Sequence, residues 1–86
     1  MEHKLTQVIE AILLSASRPL DIQEIERVFP DNETPMREEI RQALTENEEQ
    51  CLDRGVELKK VSSGYRLQVR QDLSIYVAKL WEERPQ

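Results

Sequence analysis

The side chains that could do chemistry in this sequence are few, and they stand apart from one another. His3 could act as a general base, but it lies at the start of the sequence, where we expect a frayed segment, and catalysis needs fixed geometry. Cys51 has no second cysteine or nearby histidine to complete a metal site, so we interpret it as a small buried apolar residue. Ser62 and Ser63 lack a base partner, and the acidic run at 46–49 lacks the alternating ligands and turn glycine of a calcium loop. The sequence therefore predicts no enzyme, no metal and no cofactor.

The composition excludes further classes of protein. A chain of 86 residues is one small domain, and 38% hydrophobic residues suffice for a thin core. A net charge of −5 argues against binding phosphate backbones over the whole surface. One cysteine cannot form an internal disulfide, which fits a reducing compartment such as the cytoplasm. The sequence has no apolar run near 18 residues and no signal-peptide pattern at its start, so we expect no membrane contact.

Three helices are predicted in the first two thirds of the chain. Apolar residues between 5 and 16 recur at helical spacing, and Pro19 ends that segment. Asp21 and Glu24 have the spacing of a capping box and predict a second helix that ends at Pro30. The apolar face of this second helix is expected to comprise Ile22, Ile25, Val28 and Phe29.

A third helix is predicted from Thr34 as the cap and Pro35 as the first helical residue. It is expected to run to about Leu52 or Asp53, with Gly55 as a stop just beyond. Its expected apolar stripe consists of Met36, Ile40, Ala43, Leu44, Asn47 and Cys51.

The periodicity changes to two after residue 55. Residues 56–61 and 65–69 alternate around a turn of Ser62, Ser63 and Gly64, which predicts a β-hairpin. Asp72 can cap a last helix, and residues 82–86 read as the start of a linker. The expected core stripe of that helix is Leu73, Tyr76, Val77 and Leu80, with Ile75 facing away.

The predicted order of helix, helix, helix, hairpin and helix is typical of a winged helix. The fold class is α+β and mainly helical, with a three-helix helix-turn-helix core, a β-hairpin wing and a C-terminal helix. Residues 1–86 are predicted to form a single domain of this kind.

The third helix is the usual major-groove element of a winged helix, yet here it lies in the most acidic part of the chain. Residues 31–54 contain eight acidic and three basic residues, which would repel phosphates. We therefore expect no direct sequence-specific contact with nucleic acid. The alternative, a winged-helix DNA-binding transcription regulator, would have to use the scattered bases of the third helix and the wing. These candidate phosphate contacts are Arg37, Arg41, Lys59, Lys60, Arg66 and Arg70.

Apolar residues outside the predicted core stripes are candidates for contact with a partner protein. Leu14 on the first helix and Ile75 on the last face away from those stripes, and Trp81 lies on a flank. Tyr65 begins the second wing strand, and Trp and Tyr are enriched at interface centres. We expect this set to support a homodimer, although scattered exposed apolar residues are also ordinary on protein surfaces.

Several segments, in this order and spacing, resemble the bacterial segregation and condensation protein B family. They are Leu5 to Leu14, Arg18-Pro19-Leu20, Gly55-Val56-Glu57-Leu58, the Gly64 to Val69 hairpin strand and Tyr76-Val77. The Gly-Tyr-Arg-Leu-Gln hairpin after Gly-Val-Glu-Leu is the most specific part of the resemblance.

This resemblance implies a non-catalytic accessory subunit of the bacterial structural-maintenance-of-chromosomes complex, associated with the nucleoid. Members of the family have two winged-helix domains, dimerise largely through the first, and bind the kleisin subunit, segregation and condensation protein A. Through the kleisin they associate with the ATPase. The resemblance implies that residues 1–86 correspond to the N-terminal half of such a two-domain protein.

Overall fold

Four helices and one hairpin follow one another in the predicted order. The computed structural model describes residues 4–82, so His3 and most of the predicted linker lie outside the described residues. The elements are α1 (Leu5–Ser15), α2 (Ile22–Glu26), α3 (Arg37–Gln50), β1 (Val56–Val61), β2 (Gly64–Val69) and α4 (Ser74–Glu82). Single 3₁₀ turns at Asp31–Glu33 and Gln71–Leu73 precede α3 and α4. This architecture confirms the predicted winged helix.

The core lies between α1, α2, α3 and the inner face of the hairpin. Ile9, Ile25 and Ile40, one from each of the first three helices, are fully buried. Leu58 closes the core from the hairpin side. Burying an aliphatic side chain of this kind stabilises the fold by about 2 kcal/mol, so these contacts define the stable body of the molecule.

The capping box of α2 is confirmed. The backbone N–H of Glu24 donates to Asp21 Oδ1 at 2.8 Å, and the backbone N–H of Asp21 donates to Glu24 Oε1 at 3.0 Å. The helix ends at Glu26, before Pro30, and the expected core position Val28 is wrong, because this side chain is 54% exposed. A helix of five residues presents only one buried turn to the core.

The predicted start of α3 is wrong by two residues. The Thr34 hydroxyl donates to the Pro30 carbonyl at 3.1 Å and does not cap the helix. Instead the backbone N–H of Met36 donates to Glu39 Oε1 at 2.9 Å, so α3 begins at Arg37. Met36 thus lies outside the helix and is exposed, whereas the other predicted stripe positions on α3 are buried, together with Cys51 just after it.

The hairpin attaches to the helical body through a backbone bridge. Leu20 and Tyr65 exchange both backbone hydrogen bonds, at 2.9 and 2.8 Å, so the α1–α2 connection pairs with β2. Gly64 begins β2 with φ at +140°, and a Cβ there would lie 2.3 Å from the Leu20 carbonyl carbon. Glycine is therefore required at residue 64 both for its dihedral angle and for the close approach of the Leu20 backbone.

The predicted core stripe of the last helix is wrong. No residue of α4 is buried, and the expected core residues Tyr76 and Leu80 are 68% and 64% exposed. Asp72 lies in the 3₁₀ turn ahead of α4 and does not act as its predicted cap. The molecule measures 47 × 28 × 28 Å, and its radius of gyration of 14.8 Å exceeds the roughly 12 Å of a compact chain of this length. The last helix thus projects from the body and does not close the core.

Candidate interaction surfaces

The main apolar surface of the molecule is on α4. Ile75 and Tyr76 are each 68% exposed, Leu80 is 64% exposed and Trp81 is 60% exposed. We call these four residues the α4 surface. An isolated helix of nine residues is marginal in water, and most helical stability comes from packing of an apolar face. The α4 surface is thus the apolar face through which this helix can gain packing.

The sequence of α4 indicates that the helix would still expose apolar side chains if only one of its sides were covered. Between Ser74 and Trp81 the only charged residue is Lys79, and apolar side chains occur on every side of the helix. A helix with that pattern is usually buried all round. Val77 on α4 and Leu73 just before it are half-buried, whereas the other apolar side chains of α4, which we call the arm, are exposed. The rest of the helix is suited to contact with another molecule.

Arg70 fixes the point from which α4 departs. Its Nε atom donates to the Arg54 carbonyl at 2.6 Å, and Nη2 donates to the carbonyls of Cys51 and Leu52 at 2.6 and 3.0 Å. These carbonyls lie in the turn just after α3, close to the negative end of the helix dipole, which favours a cation. The guanidinium predicted as a candidate phosphate contact thus binds the turn that follows α3, four residues before α4 begins.

The other predicted partner contacts lie in different surroundings. Leu14 is 68% exposed on α1, next to the buried Leu13. Tyr65 is half-buried and packs against the core, and Lys60 Nζ lies 5.7 Å from the centroid of its ring. The role of Tyr65 seen here is therefore to attach the wing to the helical body, through its backbone bridge and its ring.

The remaining basic candidates belong to α3 and to the hairpin, in different surroundings. Arg37 donates two hydrogen bonds to the carboxylate of Glu26, at 3.0 and 3.1 Å, and this ion pair raises the pKa of the Arg37 guanidinium. Lys59 and Arg66 are directly opposed on the exposed face of the hairpin, where like charges disfavour each other. Arg41 is exposed on the acidic α3. Contiguous phosphate binding would need these side chains on one surface.

A polar groove of about 720 Å³ runs between α1 and α3. Its lining includes Glu10 from α1 and Glu46 and Asn47 from α3, and it reaches the buried Cys51. Burial raises the pKa of the Cys51 thiol, and the charge of Glu10 adds to that effect. A raised pKa disfavours the reactive thiolate, in agreement with the expectation of a structural cysteine.

Within residues 4–82, no three His, Cys, Asp or Glu side chains are grouped as metal ligands would be. In the same part of the chain, no helix has the length and apolar character needed to span a bilayer.

Sequence reasoning missed two features of these surfaces. The exposure of Tyr76 and Leu80 was missed because a helical stripe looks the same whether it faces its own core or a partner. The presence of Ile75 and Trp81 outside that stripe was the available signal. The polar lining of the groove recurs along α3 at Glu39, Gln42, Glu46 and Gln50, at helical spacing.

Comparison with known proteins gives one family. The model of the family described as "Segregation and condensation complex subunit ScpB" matches residues 7–86. A curated relative, "Segregation and condensation protein B homolog" from Coxiella burnetii, is 38% identical over 78 residues. That match covers 91% of this chain, and the chain spans 37% of the relative's length.

Two solved structures have the same fold. The crystal structure of ScpB from Mycobacterium tuberculosis superposes with a TM-score of 0.82 at 25% identity, covering 100% of this chain and 56% of that one. A dimer of ScpB N-terminal domain complexed with ScpA peptide superposes with a TM-score of 0.73 at 23% identity, covering 87% and 91%. At that identity the second likeness is evidence for the fold alone.

Proposed function

The chain belongs to the segregation and condensation complex subunit ScpB family, and on that premise we propose that it is a non-catalytic accessory subunit of a bacterial condensin. In this proposal it contributes to chromosome condensation and segregation by binding proteins, in the cytoplasm and at the nucleoid. The family description supports this proposal, and so does a structure whose most distinctive surface is an apolar helix. The proposed domain assignment is the N-terminal winged-helix domain of a two-domain protein.

The exposed α4 surface is the observation that carries the proposal. We infer that α4 packs against a second copy of the chain, with Leu14 on α1 as a further contact. The solved ScpB N-terminal domain with the same fold forms a dimer, which supports this choice of occupant. Covering three or four aromatic and aliphatic side chains on each copy is sufficient for a modest homodimer.

The second proposed partner is a kleisin. The related ScpB N-terminal domain is complexed with ScpA peptide, and we propose that this chain likewise binds a segment of segregation and condensation protein A. Through that subunit it would associate with the ATPase of the complex. The DNA-binding regulator, the alternative function, is disfavoured by the acidic α3 and by the use of Arg37 and Arg70 within the fold.

Sedimentation equilibrium tests the proposed dimer. We expect the wild-type chain to dimerise at tens of micromolar, roughly where an interface of about −7 kcal/mol is half occupied. The double variant Leu14→Glu with Ile75→Glu should remain monomeric because it places charges in the interface. A matched control, Leu52→Glu, changes a residue that is equally exposed but lies outside the proposed interface, and it should still dimerise. A monomeric wild type, or a double variant that dimerises normally, would refute this surface.

A further inference from the structure

The groove between α1 and α3 has the size of a ligand site but the chemistry of a polar contact surface. At about 720 Å³ it could hold several side chains of a bound segment. Both walls are helices of the stable body, and the backbone of α1 is joined to α3 where Asn47 Nδ2 donates to the Thr6 carbonyl at 3.0 Å. The groove is therefore a preformed feature whose width is set by core packing.

Among residues 4–82, Asn47 is the one buried polar side chain, and it lines this groove. It is 2% exposed, and its amide nitrogen donates to the carbonyls of Thr6 and Ala43 at 3.0 and 3.1 Å. Both amide hydrogens are thereby used, while Oδ1 accepts no hydrogen bond from residues 4–82. The core thus directs an acceptor towards the groove, and such an acceptor favours a ligand that donates hydrogen bonds.

The charges of the helical walls have the same preference. Glu10 on α1 and Glu39 and Glu46 on α3 all line the groove. Glu39 accepts from the Met36 backbone, which leaves Glu10 and Glu46 as the carboxylates available to a ligand. The two basic lining residues, Lys4 and Arg54, come from segments just outside the two helices, so the helical walls themselves are acidic.

We propose that this groove binds a basic protein segment, with an arginine or lysine side chain inserted between Glu10 and Glu46 and donating to Asn47 Oδ1. Arginine and lysine are donors without acceptors, so they satisfy carboxylates and an amide oxygen together. The inference rests on the proposed function, because the segment is assigned to the ScpA-type partner. It gives the acidic α3 a role in partner recognition that is separate from the α4 surface.

Calorimetric titration with the ScpA-type subunit from the same genome tests this site. The charge-reversal variant Glu10→Lys with Glu46→Lys should weaken binding by about tenfold or more, since it replaces attraction by repulsion at the two carboxylates that would contact the inserted side chain. The matched control is Glu38→Lys with Glu48→Lys, which changes the net charge equally at exposed residues outside the groove. It should weaken binding by less than about threefold, as expected for screened charges. The milder Glu10→Gln with Glu46→Gln variant should fall between the two.

Each outcome has one meaning. Equal weakening by both charge-reversal pairs would show that the net charge of the protein, and not the groove, affects binding. No weakening by either pair would refute the site. In both cases the binding of ScpA, and with it the proposed function, would stand. A wild-type chain that does not bind the subunit at all would refute the kleisin proposal and this inference together. Binding that leaves the amide signals of α1 and α3 unshifted in NMR while shifting those of α4 would place the segment on the α4 surface.

Discussion

The helices α3 and α4 differ in burial, and in each helix the burial is the opposite of what its composition suggests. The sequence of α3 is dominated by charged and amide residues, yet Ile40, Ala43, Leu44 and Asn47 are all buried. The sequence of α4 is mostly apolar, yet none of its residues is buried. The difference shows that, within residues 4–82, the apolar face of α3 is covered by other elements, whereas the side chains of α4 are not buried. The more hydrophobic helix is thus the one left for another molecule.

The connection between the two helices explains how this arrangement is maintained. The Arg70 guanidinium binds carbonyls of the turn after α3, and the Arg70 backbone N–H donates to the Gly55 carbonyl at 2.9 Å. The chain is thereby held to the turn after α3, four residues before α4 begins. The arm leaves from a fixed point on the body, while its apolar side chains extend away from the core.

The largest expected effect comes from truncating one apolar side chain in each helix. Ile40→Ala should lower the free energy of unfolding by about 3 kcal/mol, because it leaves a cavity at a fully buried residue. Leu80→Ala should change the free energy of unfolding of the monomer by less than about 0.5 kcal/mol, because Leu80 is exposed. Urea unfolding at low micromolar concentration measures both. Equal losses of unfolding free energy in the two variants would contradict the difference between α3 and α4 and would place α4 in the core.

The next expected effect is on stability, and it comes from substituting the two glycines near the junction of wing and body. Gly64→Ala should destabilise the fold by about 3 kcal/mol, because it combines an unfavourable φ with a clash against Leu20. Gly55→Ala is the matched control, since its Cβ would meet Leu73 at an ordinary 3.6 Å. Thermal unfolding should show a large decrease for the first variant and a small change for the second. A tolerant Gly64 would mean that the Leu20–Tyr65 bridge is not essential to the body.

A smaller effect is expected at the start of α2. Asp21→Ala removes the side-chain acceptor for the Glu24 backbone N–H and should cost about 1 kcal/mol of stability. The variant should leave dimerisation through α4 unchanged once both proteins are compared below their unfolding transitions. A loss of self-association in a fully folded Asp21→Ala variant would show that body and arm are coupled.

The smallest effect is the dependence of stability on pH through Glu24. The Asp21 backbone N–H, followed by the Arg18 guanidinium, lowers the pKa of Glu24 from its ordinary 4.5. A lowered folded pKa contributes stability above the unfolded value, and that contribution is lost as the pH falls through the folded value. Urea midpoints at pH 6 and pH 3 should therefore differ less for Glu24→Gln than for the wild type. An identical pH dependence would show that the carboxylate gains nothing on folding.

Much of the body could be predicted from the sequence because its signals are local. Asp21 and Glu24 specify their capping box within one turn, and the alternation on either side of residues 62–64 predicts the hairpin. The predicted turn was too long by one residue, because Gly64 begins β2 and pairs with Val61. The predicted start of α3 was wrong because Glu39 competes with Thr34 for the capping role. Only the geometry of the folded chain decides between the two residues.

The interaction surfaces were harder to predict than the fold. Leu14, Ile75 and Trp81 were identified as apolar residues outside the predicted stripes, and all three are exposed. Arg70, in contrast, was a candidate phosphate contact only under the alternative of a DNA-binding regulator, but it contacts carbonyls that lie 16 to 19 residues earlier in the chain. Such a long-range contact leaves no periodic signal, so the role of Arg70 could not be read from its neighbours in sequence.

The fluorescence of Trp81 tests the central claim most directly, since it is the only tryptophan and lies on α4. If α4 packs against a second copy, the emission maximum should move to shorter wavelength as the concentration rises from about 1 to about 100 µM. The midpoint should coincide with that of the mass increase in sedimentation. A short-wavelength emission already present in a monomer would contradict the account by placing α4 on its own body. An unchanging long-wavelength emission in a proven dimer would place the interface elsewhere.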